Sequence, residues 1–268
     1  MALTAAGATL TSAHRAAQLA ARAGSLQELL RLWQLVDVTN LAGTIDTFAR
    51  AAAIIAGAGF EQSAAVAANY YGLFRRVEGV GRLAIPAAGR PSADVVQGLL
   101  RGAALKGILD ARRAGMSVDQ ASQQGLIRAA GEMTKLVLAG GRQTIITGTL
   151  DDRAALGWAR ATSGDPCTFC RTLAARGPVY KSEKSAGFEP HDHCGCMPEP
   201  AYAGDPVGIG VAARGAEFAA EYQQAQAWAR SSGTMSTDTS NNQLNNYRRW
   251  LDNGKPSAAG ANDAGNGG

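Results

Sequence analysis

The residues best suited to chemistry in this chain are its cysteines and histidines, which are concentrated in one short segment. All four cysteines lie within 30 residues, from Cys167 to Cys196, and two of the three histidines lie among them. The first pair forms the motif CTFC, Cys167 to Cys170, and the second group is HDHCGC, His191 to Cys196. Two short-spaced groups of thiol and imidazole ligands joined by a loop are the usual framework of a tetrahedral zinc site.

The spacing predicts one structural Zn2+ ion bound by four protein ligands. Cys167 and Cys170 are two of them, because a C-x-x-C turn directs both thiolates at a single ion. The other two belong to the second group, His191, His193, Cys194 and Cys196. We rank His191 with Cys196 first and Cys194 with Cys196 second, and we expect the spare residues to orient the ligands. The number of possible protein ligands is enough to fill all four positions, which favours a structural zinc over a catalytic one. We therefore predict no catalytic residue and no other cofactor.

Three other interpretations of the cysteines stay open at this point. Four cysteines can form two disulfides, and they can also be core thiols without a shared role. An open catalytic zinc needs a nearby base, for which the sequence offers Glu183, Glu189 and Glu199. We favour the structural metal, because the N-terminus lacks the pattern of a secretion signal and cytosolic thiols stay reduced. Residues 160–205 also have few large apolar groups, and metal binding would supply the missing folding free energy.

Composition predicts a helical protein with a thin core. Of 268 residues, 54 are Ala and 33 are Gly, while aromatic residues make up only 6%. The 46% of apolar residues excludes wholesale disorder, but small side chains bury little surface, so we expect a partner or a metal to contribute to stability. The net charge of +4 comes without a run of five basic residues, which argues against a dedicated nucleic-acid arm. No segment reaches 18 consecutive apolar residues, so we predict no membrane span.

The hydrophobic pattern predicts a mainly α fold with a small zinc-stapled α+β module near the C-terminus. Apolar residues recur at helical spacing through most of the first 150 residues, and the character of the sequence changes near residue 150, where cysteine, histidine, proline and glycine become dense. The predicted regions are an N-terminal helical region (1–78), a central helical region (92–150), the Cys/His metal-binding module (151–210), a C-terminal helix (211–252) and a disordered tail (253–268).

Several local features give more specific expectations. Gly57 or Gly59 is predicted to end a helix that begins near residue 44. Residues 142–149 are rich in β-branched side chains, so helix and strand compete there. Residues 156–161 are short enough for a strand. His14 lies in an alanine-rich helix, and we expect it at the surface.

The cysteine segment resembles the C-terminal module of MuF-like minor head proteins of tailed bacteriophages. Those proteins show a C-x-x-C segment, a glycine a few residues on, and an H-x-x-C-x-C segment. The resemblance is specific over about residues 155–200, and the alanine-rich opening looks like the actinobacteriophage branch of that group. The residues that carry it are Trp158, the run Gly164 to Leu173, Gly177, His191, Cys194 and Cys196. This chain has His193 where a polar residue such as asparagine is more usual.

The resemblance implies a low-copy head protein made beside the portal. Its location would be the virion, in the capsid interior, with the host cytoplasm as the site of assembly. Its partners would be the portal protein, the major capsid or scaffold protein, and packaged DNA contacted without sequence preference. It would act in head assembly or DNA ejection. Some proteins of that branch are labelled capsid maturation proteases, which is the alternative function, and a toxin domain appended to the chain ranks third.

The residues favour the structural function over the protease. The sequence has no G-x-S-x-G or H-E-x-x-H motif, and its histidines are His14 and the two in the cysteine cluster. A Ser/Lys dyad would have to come from the loop that holds Lys181, Ser182, Lys184 and Ser185. Solvated charges in a loop explain those residues better, so we lean against an enzyme.

Overall fold

A computed structural model describes residues 1–162, 164–179, 188, 190–191, 193–204, 210–237 and 241–257. Within these ranges the chain forms seven α-helices and two β-strands, which confirms the predicted mainly α fold with a small α+β module. The elements are α1 (Ala5–Leu32), α2 (Leu41–Val77), α3 (Ala93–Arg113), α4 (Val118–Asp151), β1 (Ala155–Ala161), α5 (Thr168–Ala174), β2 (Met197–Tyr202), α6 (Gly210–Ser231) and α7 (Asn242–Asp252). Residues 258–268 of the predicted disordered tail lie outside the described ranges. The division into domains stays a prediction.

Helices α1 to α4 form the body of the protein and share one core. Helix α2 packs against α1, α3 and α4, and α4 also contacts α1 and α3. The core contains few large side chains among many alanines, as the composition predicts. Its larger buried members are Leu29, Trp33, Ile45, Phe48, Leu100, Ile108, Met133, Leu136 and Val137.

Side-chain caps set the start of each of the four helices of the body, α1 to α4. The side chain of Thr4 accepts a hydrogen bond from the Gly7 N–H at the start of α1. Ser117 and Gln120 form a reciprocal capping box at the start of α4, where the sequence shows only a weak S-x-x-Q signal. These bonds satisfy backbone N–H groups that have no partner within the helix itself.

The prediction that Gly57 or Gly59 ends a helix is wrong, because α2 runs without interruption from Leu41 to Val77. Both glycines lie inside this helix, and Gly59 is needed for close packing. A Cβ atom at Gly59 would lie 2.6 Å from the Ser25 hydroxyl and 2.8 Å from a Val137 methyl group. A glycine at such a position lets α1 and α4 approach α2 closely, which a local reading of helix stop signals misses.

Residues 142–149 are helical, which resolves the competition between helix and strand. Glycines again permit close contact here, since a Cβ atom at Gly140 would lie 2.1 Å from the Phe60 carbonyl oxygen. The buried side chain of Ile145 joins a second apolar cluster with Tyr70 and Phe74 of α2. Packing of α4 against α2 therefore outweighs the β preference of the branched side chains.

Strands β1 and β2 form a two-stranded antiparallel sheet that rests on α4. The strand predicted at 156–161 is confirmed within one residue. The sequence analysis predicts no strand at the position of β2. Two prolines obscure β2, Pro198 opposite Arg160 and Pro200 opposite Trp158. Proline is tolerated because a two-stranded sheet has only edge strands. The Met1 amino group donates a hydrogen bond of 2.6 Å to the Pro200 carbonyl oxygen.

The predicted C-terminal helix of residues 211–252 consists of two helices, α6 and α7. Helix α6 ends at Ser231 because Gly233 adopts a left-handed backbone with φ of +65°, and the Thr234 N–H bonds back to the Ala229 carbonyl. The two helices then pack together through Tyr247 and Trp250 of α7 and residues of α6.

The expectation that His14 lies at the surface is wrong. Its side chain is only 4% exposed and its ring stacks on Tyr70 with 4.2 Å between ring centroids. Neither ring nitrogen has a hydrogen-bond partner among the described residues. Burial lowers the pKa of His14 to about 4, so the ring is neutral near pH 7. An alanine-rich helix has no distinct apolar stripe, and the sequence therefore gives no sign of which face is buried.

Helix α2 is long and apolar enough to cross a membrane by length and composition, although no run of 18 consecutive apolar residues occurs. Half of its most apolar stretch of 18 residues is buried inside the fold. The buried half contacts α1, α3 and α4, which is the behaviour of a core helix.

We expect Gly140→Ala to lower the free energy of unfolding by about 2 kcal/mol or more, because the new methyl group would collide with the Phe60 carbonyl oxygen. Gly24→Ala in α1 is the matched control, since a Cβ atom there meets nothing within 4 Å. That variant should gain up to about 1 kcal/mol from helix propensity. Urea unfolding of both variants checks the expectation, and equal stability of the two would contradict the close approach of α2 and α4.

We expect acidification to destabilise the fold through His14. Its pKa in the folded state lies below the ordinary 6.5, so the unfolded chain binds the proton first. The stability that His14 contributes is complete above about pH 6.5 and falls by up to about 3 kcal/mol as the pH drops toward 4. His14→Phe keeps the stacking on Tyr70 but cannot titrate, so its unfolding free energy should fall less over this range. An unchanged pH dependence in the variant would refute the assignment.

Candidate metal centre

The first cysteine pair is positioned by the start of α5. Cys167 is the N-cap residue of this short helix, and its carbonyl oxygen accepts a hydrogen bond from the Arg171 N–H at 3.0 Å. The helical turn brings the Cys170 side chain to the interior, where it is 1% exposed, while Cys167 remains exposed. The C-x-x-C motif thus places one thiol at the protein surface, Cys167, and one in the interior, Cys170.

The second group lies on the chain just before β2. A turn is closed by the Cys194 N–H, which donates to the His191 carbonyl oxygen at 3.1 Å. Cys194 and Cys196 are 3% and 1% exposed, respectively. His193 is exposed, with a left-handed φ of 63°.

The structure brings five of the predicted ligand residues together in two groups of three. Cys167, Cys170 and His191 form one group, and Cys170, Cys194 and Cys196 form the other, with the ligand atoms of each group within 4.8 Å of one another. Cys170 belongs to both groups. His193, which the sequence analysis also considers, belongs to neither.

The distances between these atoms fit a zinc ion. Tetrahedral coordination with Zn–S bonds of about 2.3 Å and Zn–N bonds of about 2.0–2.1 Å places two sulfurs about 3.8 Å apart and a sulfur about 3.6 Å from a nitrogen. The Cys170 and Cys194 sulfurs are 3.7 Å apart, and the His191 Nε2 atom is 3.6 Å from the Cys170 sulfur. Soft thiolate donors in this number are also typical of zinc. The predicted residues therefore form a candidate metal site, and which four bind the ion stays a prediction.

Hydrogen bonding within the cluster favours the thiolate form of two cysteines. A hydrogen bond from the Cys170 thiol lowers the pKa of Cys167 to about 5 and, as the largest cause, also lowers the pKa of Cys194 far below its ordinary value. His191 adds to the effect on Cys167, with its Nε2 atom 2.8 Å from the sulfur. Thiolates are the species that bind metals, so the lowered pKa values of these two cysteines favour the binding of a metal cation.

The structure also bears on the other interpretations of the cysteines. None of the four cysteines, all of which the structure describes, forms a disulfide. Glu199 is fully buried and accepts hydrogen bonds from the Ala2 N–H at 3.0 Å and from the Thr11 hydroxyl, away from the cysteines. Glu183 and Glu189, the other bases considered for a catalytic zinc, lie outside the described residues, as do Lys181, Ser182, Lys184 and Ser185 of the Ser/Lys hypothesis.

Sequence reasoning missed two arginines and one phenylalanine that surround the cluster. Arg142 of α4 donates to the Cys196 carbonyl oxygen at 3.1 Å and to the Cys194 carbonyl oxygen at 2.6 Å. Arg160 of β1 lies 3.8 Å from the Cys170 sulfur. Both guanidinium groups lie over the ring of Phe188, at 4.7 and 3.8 Å from its centroid.

The fold and the site together define a mainly helical protein whose small α+β module is built around a cysteine–histidine cluster of metal-site geometry. A family model described as VG15 protein matches residues 6–225, so the chain belongs to the VG15 family. This is a family of viral gene products, which indicates a phage protein. No curated protein and no solved structure matches the chain. The resemblance to MuF-like proteins is not confirmed by this match.

Protein purified under reducing conditions without chelator should contain close to one zinc per chain. Cys170→Ser should reduce the zinc content more than Cys167→Ser does, because Cys170 belongs to both groups of candidate ligands. Loss of the ion should remove several kcal/mol from the module and expose residues 160–205 to proteolysis, while the helical body stays folded. Elemental analysis and limited proteolysis measure both effects. Metal-free wild-type protein, or a Cys170→Ser module as resistant as wild type, would contradict the site.

Proposed function

We propose that this chain is a minor head protein of a tailed phage, which associates with the portal inside the capsid and acts in head assembly or DNA ejection. Membership of a family of viral gene products supports a phage origin. The resemblance of the cysteine segment to MuF-like proteins supports the assignment to the head. The partners would be the portal protein, the major capsid or scaffold protein, and packaged DNA.

The burial of the cysteine cluster is the observation that carries a structural rather than an enzymatic function. Three of the four thiols are 3% exposed or less, and the cluster is joined to α4 through Arg142. Closed sites of this kind hold a fold together, whereas a catalytic zinc keeps a coordination position open to substrate. Of the two histidines outside the group of candidate ligands, His14 is buried without a hydrogen-bond partner in the part of the chain described, and His193 is exposed.

The outer surface of the helical body offers sites for protein partners. Several large apolar side chains are exposed there, including Ile54 at 76%, Val95 at 54% and Leu99 at 45%. Val95 and Leu99 are four residues apart on α3 and so share one face of that helix, and neighbouring exposed apolar residues are typical of protein–protein contacts. The net charge of +4 is compatible with a position next to DNA.

A capsid maturation protease is the second candidate function, and one contact favours it. Cys167 is exposed, its sulfur lies 2.8 Å from the His191 Nε2 atom, and its pKa is lowered to about 5. A thiolate paired with an imidazole is the nucleophile of cysteine proteases. The same two residues are zinc-ligand candidates, and a bound ion would occupy the thiolate and prevent its use as a nucleophile.

Purified virions of the phage that encodes this chain should contain the protein, and heads should not incorporate the Cys170→Ser variant. Cys167→Ala and His191→Ala separate the two functions. If the protein is structural, the capsid protein is processed normally in every head that assembles with either variant. A protease would instead leave assembled but unprocessed heads, because covalent catalysis depends on one activated group. Mass spectrometry of virions measures whether the protein is present, and mass spectrometry of the capsid protein measures whether it has been cut.

The absence of the wild-type protein from purified virions would overturn the assignment to the head. Assembled heads with uncut capsid protein in the Cys167→Ala variant would replace the structural function with the protease. Arg101→Met, which changes an exposed ion pair with Asp46 on the helical body, is the control for a general effect of substitution.

A further inference from the structure

The segment before α1 is held by two carboxylates from distant elements. The Ala2 N–H donates a hydrogen bond to the Glu199 carboxylate of β2 at 3.0 Å. The Leu3 N–H donates to the Glu78 carboxylate, at the end of α2, at 2.6 Å, and the Thr4 hydroxyl donates to the same carboxylate at 2.9 Å. This segment therefore lies between two acidic groups, where the helical body meets the module.

Glu199 is the more deeply buried of the two acidic groups. Its side chain is fully buried, whereas Glu78 is 8% exposed. The second carboxylate oxygen of Glu199 accepts a hydrogen bond from the Thr11 hydroxyl of α1. Burial raises the pKa of Glu199, and the positive charge at the amino group of Met1 opposes this change. A buried carboxylate is stabilised most by a cation in direct contact with it, because the contact offsets the cost of removing the charge from water.

The Met1 amino group is poorly placed to be that cation. It donates to a neutral acceptor, the Pro200 carbonyl oxygen, at 2.6 Å. Burial lowers the pKa of this amino group to about 6, so most of it is uncharged near pH 7. The nitrogen that does contact Glu199 is that of Ala2, and in a chain that keeps Met1 it belongs to a neutral peptide group.

The identity of residue 2 suits both packing and processing. Ala2 is fully buried and belongs to the apolar cluster that contains Tyr70, Phe74 and Tyr202. The methionine aminopeptidases of the cytosol remove an N-terminal methionine only where the residue after it is small, as alanine is. Removal of Met1 would therefore leave the Ala2 methyl group in its place in the core and convert the Ala2 nitrogen into a charged terminus.

We propose that the Met1–Ala2 peptide bond is a processing site, and that its hydrolysis creates an ammonium group at Ala2 which forms a buried ion pair with Glu199. Water adds across the bond. Its oxygen joins the Met1 carbonyl carbon, which leaves as the carboxylate of free methionine, and both of its hydrogens pass to the Ala2 nitrogen. Because Ala2 is buried in the folded protein, a methionine aminopeptidase acts on the nascent chain before folding.

The ion pair strengthens a contact between the two parts of the molecule. The hydrogen bond from Met1 to Pro200 is lost, and the neutral hydrogen bond from Ala2 to Glu199 becomes charge-assisted. Hydrogen bonds between two charged groups are roughly twice as strong as neutral ones. The start of the chain, which leads into α1, is thereby fixed to β2 of the module.

Mass spectrometry of the N-terminal peptide tests the processing step. The protein is isolated from infected host cells, so the result does not depend on whether it enters the virion. We expect the first residue to be Ala2 with a free amino group. Retention of Met1, residues before Met1, or an acetylated Ala2 nitrogen would each overturn the proposal, because none of these chains carries an ammonium group beside Glu199.

Urea unfolding of two full-length chains tests the ion pair. Cleavage of an N-terminal fusion that leaves no extra residue gives one chain that starts at Met1 and one that starts at Ala2. The equilibrium constant for unfolding should be about 10-fold lower or more for the chain that starts at Ala2, because its hydrogen bond to Glu199 joins two charged groups. Glu199→Gln should abolish this difference. Glu61→Gln, which changes an exposed ion pair with Arg90, is the matched control and should preserve it.

Equal stability of the two chains, or a difference that persists in Glu199→Gln, would refute the ion pair. If Glu199→Gln does not fold, acetylation of the Ala2 amino group decides. The acetyl group keeps the N–H donor and removes the charge, so the acetylated chain should lose the added stability. An acetylated chain as stable as the one with the free amino group would equally refute the proposal.

Discussion

The buried guanidinium of Arg142 joins two dissimilar parts of the molecule, the helical body and the cysteine module. It extends from the last third of α4 and donates to two carbonyl oxygens of the cysteine segment, at Cys194 and Cys196. The helical body is stabilised by close packing of small residues, and the module by its cysteine cluster. Because a buried guanidinium needs several acceptors at once, the segment cannot move away from α4 without leaving a charge unsatisfied. The position of β2, which follows directly, depends on the same contact and on the hydrogen bonds that Met1, Ala2 and Thr11 donate to this strand.

Close approach of the four long helices is the second constraint, and it depends on the absence of side chains. Gly59 and Gly140 lie where α2 meets its neighbours, with no room for a methyl group at either position. The buried Gln18 and Ser63 join these helices further, since the Gln18 amide donates to the Ser63 carbonyl oxygen at 2.9 Å. Small residues thus compensate for the scarcity of large apolar ones, because more backbone atoms come into contact.

The sequence was informative where the relevant contacts are local. The C-x-x-C turn and the spacing of His191, Cys194 and Cys196 predicted the residues that cluster, and helical periodicity predicted the fold class. Arg142 and Arg160 could not be predicted, because a single arginine carries no spacing pattern that marks its role. The partners of Arg142 also lie 54 and 52 residues further along the chain. The expectation that His14 lies at the surface was wrong for a related reason. When both faces of a helix are rich in alanine, only the tertiary structure decides which face is buried. The two prolines of β2 concealed a strand that exists only through its pairing with β1.

Those prolines also limit how the sheet can associate. In an antiparallel strand, alternate residues direct their amide groups to opposite edges, so Pro198 and Pro200 leave one edge of β2 without two of its donors. The Pro200 carbonyl oxygen on that edge already accepts the bond from Met1. An edge that lacks two of its donors is a poor template for another strand. Where many protein chains are crowded together, the β2 edge of this small sheet is therefore protected against strand exchange and edge-to-edge aggregation.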